Sequence, residues 1–252
     1  LQLYVEGQGE ARQPGNFTNF DGALYGAKGW EMGDYNQHHG WALWYLSEHY
    51  LFTRNAEWFK SVADAVVKGA NWVFRQRQET RQELPHSRGW EWGFLPAGSL
   101  EDVTDFYYWL STNVLTWRGT NAAARALEEA GHPEAARVRM ESDLFRQDLI
   151  HGLELNRKYA PLVRLRDGRW VPHYPSRLYC RGRDYGWIRE ILEGAVYLLI
   201  SGLYDSQSRQ ADWILNDYQD NLYHTPPYGY VIRDLERNFW GRGGFSMQPN
   251  LL

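Results

Sequence analysis

One unit recurs three times along this 252-residue chain and limits what it can become: a long loop, a mostly apolar helix, a tight turn, then an amphipathic helix. In the first copy, residues 37–50 carry Trp41, Leu43, Trp44, Tyr45, Leu46 and Tyr50, too continuous an apolar pattern for a surface helix, so they read as a buried one. After the break Thr53-Arg54-Asn55, a helix runs to about residue 78. Its Trp58, Phe59, Val62, Ala65, Val66, Gly69, Ala70 and Val73 fall at three-and-four spacing with polar residues between. The second copy is expected over 105–130, with Phe106, Leu110, Val114, Trp117, Ala124 and Leu127 on one stripe. Gly131-His132-Pro133 stops it, and a charged amphipathic helix follows over 134–155. Residues 162–171 form two short runs around Asp167-Gly168, a hairpin-turn signal and the one β element expected. The third copy runs over 188–203, breaks at Asp205-Ser206 and continues on a wetter helix over 211–222.

Hairpins whose first helix is buried nearly all round and whose second is half exposed are what a two-layer α/α toroid requires. The expected fold class is therefore all-α, an (α/α)6 toroid of helical hairpins with one small β-hairpin insertion, in a single domain over 1–252. Composition excludes other classes. Aromatic residues make up 16% of the chain, too many to stay solvated in a disordered protein. Lys and Arg number 27 against 31 Asp and Glu, without basic blocks, which argues against a nucleic-acid or acidic-membrane partner. No apolar run reaches the roughly 20 residues of a membrane span. A single cysteine, Cys180, excludes an intrachain disulfide and a thiolate zinc site.

The loops sort into two kinds. Turns within a helix pair are short and carry only turn residues, whereas each loop leading into a first helix is long and rich in Trp, Tyr, His, Arg and carboxylates. These loops hold Trp30, Glu31, Asp34, Tyr35, His38 and His39; then Trp90, Glu91, Trp92, Glu101 and Asp102; then Arg181, Arg183, Asp184 and Trp187; and finally Trp240 and Gln248. In a toroid they converge on one rim. Aromatic rings beside charged groups suit sugars, whose C–H faces stack on rings while hydroxyls take charge-assisted hydrogen bonds. Glycoside hydrolysis needs two carboxylates, roughly 5–5.5 Å apart for retention or 6.5–9.5 Å for inversion. The candidates are Glu31 and Asp34, set among aromatics that raise a carboxyl pKa, and Glu101 and Asp102, just before a first helix. Asp102 or Asp105 as a helix cap is the plainer alternative. His38-His39 does not suggest a metal: adjacent histidines point apart on a helix, and no carboxylate stands at ligand spacing. Asp184 between Arg181 and Arg183 reads as an anchor for the arginines or a contact to substrate hydroxyls, because flanking cations depress its pKa.

The chain resembles the six-hairpin glycosidase superfamily, (α/α)6 barrels that include α-L-rhamnosidases and glucosidase-type relatives. The segments concerned are Gly29-Trp30-Glu31-Met32-Gly33-Asp34 leading into residues 39–50, then Gly93-Phe94-Leu95-Pro96-Ala97-Gly98, and the helix turn over 127–136. The resemblance implies a carbohydrate-acting barrel without a cofactor. It departs from the family's Gly-Trp-x-Gly-Asp stretch by one extra residue, which leaves the acid open between Glu31 and Asp34. A whole barrel of this family has twelve helices and six are read here, so the chain is expected to be part of a longer protein, with the rest of the barrel in the same or another chain.

Three readings stand at this point: a glycoside hydrolase; a sugar epimerase or isomerase that uses His38, His39 or His173 for proton transfer; and a non-catalytic carbohydrate-binding domain. Facing carboxylates, facing histidines, or neither would tell them apart.

Overall fold

The computed structural model describes residues 1–26, 35–82, 88–100, 103–182 and 194–223, with the backbone alone for 103–104 and 221–223. These residues are mostly helical and divide into two compact units, Leu1–His151 and Gly152–Leu252.

The first unit opens with the short helix α1 (Gln2–Glu6) and is built mainly from two helical hairpins. Helix α2 (His38–Thr53) stops at Arg54, which takes the left-handed conformation at φ 56°. Asn55 then starts α3 (Ala56–Glu79) by accepting a hydrogen bond from the Trp58 N–H at 3.0 Å. Two residues therefore reverse the chain. Phe59, Val62, Val66, Ala70 and Val73 bury one face of α3, as their spacing predicts.

The second pair is α4 (Leu110–Glu129) and α5 (Ala135–Tyr159), whose last turns belong to the second unit. Gly131, at φ 64°, closes α4: its N–H reaches the Glu128 carbonyl and the His132 N–H reaches Leu127, a Schellman end. All of α4 is buried except Arg118, Asn121, Arg125, Glu128 and Glu129. Along α5, Ala135, Val138, Ser142, Phe145 and Leu149 repeat every three or four residues on the buried side.

Cross-links fix the directions of these helices. Arg118 meets Glu48 at 3.4 Å, and Arg54 at the end of α2 meets Glu129 at the end of α4 at 2.7 Å, so α2 and α4 run parallel. Glycine lets them approach closely: a Cβ on Gly40 would lie 2.6 Å from the Leu115 carbonyl carbon, and one on Gly119 would collide with the Gly40 carbonyl oxygen. Helices α3 and α5 are also parallel, joined by Asn71 to Arg137 at 2.6 Å and Arg77 to Asp148 at 2.7 Å. First helices thus lie beside each other, as do second helices. The interior includes fully buried Leu43, Leu46, Val114, Leu115 and Leu127, each worth about 1.5–3 kcal/mol of burial.

Three expectations change. Residues 105–109 are not helical: Val103–Tyr107 (β2) pairs antiparallel with Gly98–Leu100 (β1), a second β-hairpin. Accordingly Asp105 does not cap α4, whose preceding residue is Trp109 in extended conformation without a side-chain cap; Asp102 lies outside the described residues. Helix α2 is not enclosed all round, since Tyr45 is 51% exposed and Phe52 84%. Trp41, Trp44 and Tyr45 hold their rings nearly parallel on that open side, 5.1 to 6.2 Å apart.

In the second unit, Leu162–Arg164 (β3) and Trp170–Pro172 (β4) form the expected hairpin, in register Val163 to Val171. Val163, Leu165 and Val171 pack with Trp213 of α7 (Arg209–Asp217), which a π-helical turn, Tyr218–Tyr223, extends. Of the third first-helix expected over 188–203, residues 188–193 lie outside the described residues; among the rest only Tyr197–Ile200 (α6) is helical.

Candidate functional site

Parallel α2 and α4 bring two loops to the same end of the first unit. Asn36, just before α2, donates from Nδ2 to the carbonyls of Pro14 at 2.8 Å and Ser99 at 3.0 Å. Gly98 must be glycine for this, because a Cβ there would stand 2.5 Å from the Asn36 Nδ2. Buried Trp109, at the start of α4, donates from Nε1 to the Gly98 carbonyl at 3.0 Å. Strand β1 therefore ties the beginning of α2 to the beginning of α4. Asn113, in the first turn of α4, accepts from the Leu95 N–H at 2.8 Å and brings the Trp90-Glu91-Trp92 turn to this end.

That turn is also held from behind. Gly93, at φ 73°, abuts the Asp148 carboxylate, and no side chain would fit between them. Its carbonyl accepts from Nε of Arg77 at 2.8 Å, while Nη2 of Arg77 binds Asp148 at 2.7 Å and Arg81 meets the same oxygen at 2.8 Å. Burial of Arg77, seconded by the charge of Arg81, brings its pKa down to about 10 against the pull of Asp148.

Half-buried aromatic groups line these loops, with exposed Arg88 beside them. Tyr35 stacks on His38 with ring centroids 5.1 Å apart and 7° between planes. Arg88 lies over the Trp92 ring at 4.3 Å. Tyr107 sets its ring edge-on to Trp109 at 5.4 Å. The Tyr108 phenol is pushed up first by burial and then by the negative charge of Glu91, which places those two side chains in electrostatic reach.

Of the expected site residues, Tyr35, Trp90, Glu91 and Trp92 stand on these loops and His38 opens α2. His39 is fully buried against Trp72 at 4.5 Å, Nδ1 accepts from the Leu24 N–H at 2.9 Å, and Nε2 donates to the Gly69 carbonyl at 3.2 Å. Burial brings its pKa down to about 3, with the Gly69 bond opposing. Both nitrogens serve the main chain, so His39 holds α2 to α3 instead of meeting a substrate. Trp30, Glu31 and Asp34 lie outside the described residues, as do Glu101, Asp102, Arg183, Asp184, Trp187, Trp240 and Gln248. In sequence, Asp34 stands two residues before Asn36 and Glu101 two residues after Ser99. Arg181 is exposed in the second unit.

The second unit carries two polar clusters of its own. Glu154 takes hydrogen bonds from the hydroxyls of Tyr174 at 3.1 Å and Tyr204 at 2.7 Å on one oxygen and from Arg157 at 2.7 Å on the other. Both phenols are driven well above their ordinary range, chiefly by burial. His173 Nδ1 meets Asp217 Oδ2 at 2.9 Å, with the two side chains 6% and 5% exposed. Among the described residues, no group of three or more His, Cys, Asp or Glu side chains could hold a metal ion.

Asn36, Asn113 and Arg77, which shape the first site, were not among the expected residues. Asn36 sits inside a recognised loop, but nothing in the sequence separates an anchor from a ligand contact there. Asp217 stands 44 residues from His173, and no local pattern joins them. No protein-family model, no curated protein and no solved structure matches the chain.

Proposed function

We propose that the chain is the hairpin-toroid portion of a carbohydrate-active enzyme, a glycoside hydrolase whose carboxylates come from Glu31 or Asp34 and from Glu101 or Asp102. The observation that carries this reading is the tie from Asn36 to Ser99 and from Trp109 to Gly98. It gathers the ends of both carboxylate-bearing loops where two parallel helices begin. Paired hairpins with first helices side by side are the repeating step of an (α/α)6 toroid, and aromatic loops at the starts of those helices agree with the rim of one.

In this reading one carboxyl group donates a proton to the leaving glycosidic oxygen, and the partner carboxylate attacks the anomeric carbon or deprotonates water. Trp90, Trp92 and Tyr35 supply faces for sugar C–H groups, and Glu91 accepts from hydroxyls. The substrate is an oligosaccharide or polysaccharide fragment.

The test is Glu31→Gln, Asp34→Asn, Glu101→Gln and Asp102→Asn, each made in the full protein and assayed on a panel of aryl glycosides. Loss of the general acid is expected to lower kcat by about a hundredfold or more. Activity left intact by all four changes would refute the assignment.

A further inference from the structure

Helix α2 packs on α3 through one side: His39 bonds Gly69, Gly69 abuts Leu43, and Tyr50 stacks on Phe59 at 4.3 Å. At roughly 100° per residue, Trp41, Tyr45, Glu48 and Phe52 fall on the opposite side, within about 60° of one another. At roughly 1.5 Å of rise per residue they form a stripe about 16 Å long. Trp44 flanks the stripe toward α4, where the Arg118 guanidinium lies over its ring at 4.9 Å. Tyr4 of α1 stands in electrostatic reach of Tyr45. The stacked pair Tyr35 and His38 sits at the head of the same helix, so the stripe leads away from the loops of the candidate site.

The chemistry of this stripe differs from that of a helix seam. Trp41, Trp44 and Tyr45 hold their ring planes 13° to 23° apart, and Tyr45 and Phe52 face solvent. Polar edges accompany the rings. Glu48 takes the Trp44 Nε1–H at 3.2 Å and Arg118 at 3.4 Å, both on Oε1, which orients the carboxylate and leaves Oε2 without a partner among the described residues. The Trp41 indole N–H and the Tyr45 hydroxyl make no hydrogen bond among the described residues either. An apolar helix laid on this stripe would bury those groups unmatched, at about 1–3 kcal/mol each. A hydroxyl-rich ligand with apolar faces matches them: its C–H groups lie on the rings and its hydroxyls meet the carboxylate, the N–H and the phenol.

We propose that this side of α2 is a glycan-binding track, on which an extended oligosaccharide lies with successive sugar rings on Trp41, Tyr45 and Phe52 while its hydroxyls donate to Glu48 Oε2 and accept from the Trp41 N–H. Trp44 and Arg118 hold the Glu48 carboxylate in place. The track rests on the carbohydrate reading above and narrows it: the substrate is a chain of several sugars, longer than a disaccharide. In the toroid of that reading, the side of α2 opposite α3 faces the central cavity, so a chain held at the loops continues down the interior.

The experiment titrates the full protein with cello-, malto-, xylo- and mannohexaose and with the matching disaccharides, reading tryptophan fluorescence within seconds of mixing. At least one hexaose is expected to bind, and more tightly than its disaccharide. Tyr45→Ala should raise the Kd of that hexaose about tenfold, the worth of one aromatic contact. Phe52→Ala removes a ring that is 84% exposed and should weaken the hexaose while leaving the disaccharide unchanged. No hexaose bound by the wild-type protein, or binding unmoved by both changes, overturns the proposal. A wild-type dimer that binds no hexaose and that Phe52→Asp splits would give this face to a second copy instead. The two readings fail separately: hexaose binding that persists when all four carboxylate variants retain hydrolysis removes the hydrolase assignment alone, and hydrolysis lost in those variants without any hexaose binding removes the track alone.

Discussion

His39 in the first unit and His173 in the second are both buried imidazoles, yet their surroundings treat them in opposite ways. His39 receives an N–H from Leu24, gives one to Gly69 and packs on Trp72, so every polar atom of the ring is used by the fold. His173 is oriented by a carboxylate on one side, and Nε2 has no protein partner among the described residues. Burial alone therefore does not tell how a histidine's ring nitrogens are used. What separates them is the accounting of the second nitrogen: His39 spends both on the main chain, as a brace between α2 and α3, whereas His173 spends one on a carboxylate and leaves the other unmatched among the described residues.

The largest effect is expected from removing the brace. His39→Ala takes away a packed ring and leaves the Leu24 N–H and the Gly69 carbonyl unmatched, and should cost about 3–5 kcal/mol in denaturant unfolding. A loss under about 1 kcal/mol would break the comparison. Next comes pH. The unfolded imidazole takes a proton below about 6.5, while buried His39 resists until about 3, so between those values the unfolded state binds more protons and stability falls as pH falls. Between pH 7 and 5 the wild-type protein should lose about 2 kcal/mol that a His39→Gln protein keeps, measured by parallel unfolding curves. The smallest effect is expected at the other histidine. Asp217→Asn removes one charged hydrogen-bond partner, keeps the shape of the side chain and should cost about 1.5 kcal/mol. A cost as large as that of His39→Ala would make His173 a second brace.

The helical hairpins were legible in the sequence because their signals are local. Asn55 and Gly131 mark turns by their own chemistry, and apolar spacing marks the buried faces of α3 and α5. The β1–β2 hairpin was not legible, because Phe106 falls four residues before Leu110 and so extends the helical stripe of α4 backwards. Nothing local reveals that Trp109 is extended and tied to Gly98. The openness of α2 was hidden for a different reason: Trp41, Trp44 and Tyr45 read as core, and only the placement of neighbours leaves Tyr45 half exposed, with Tyr4 of α1 in electrostatic reach. Of the site, the loops and several aromatic residues could be read directly. The anchors could not, since Asn36 with Ser99, Leu95 with Asn113 and His173 with Asp217 are contacts between residues 18 to 63 positions apart.

The contact between Gly40 and Gly119 acts as a gauge block. With no Cβ on either residue, the backbones of α2 and α4 approach more closely than side chains at those positions would allow. The loops feeding those helices inherit that spacing at their roots. The span available to a ligand is thus set in part by two residues that never touch it, and a methyl group added at position 40 would reset the width of the site while leaving every side chain on its loops unchanged.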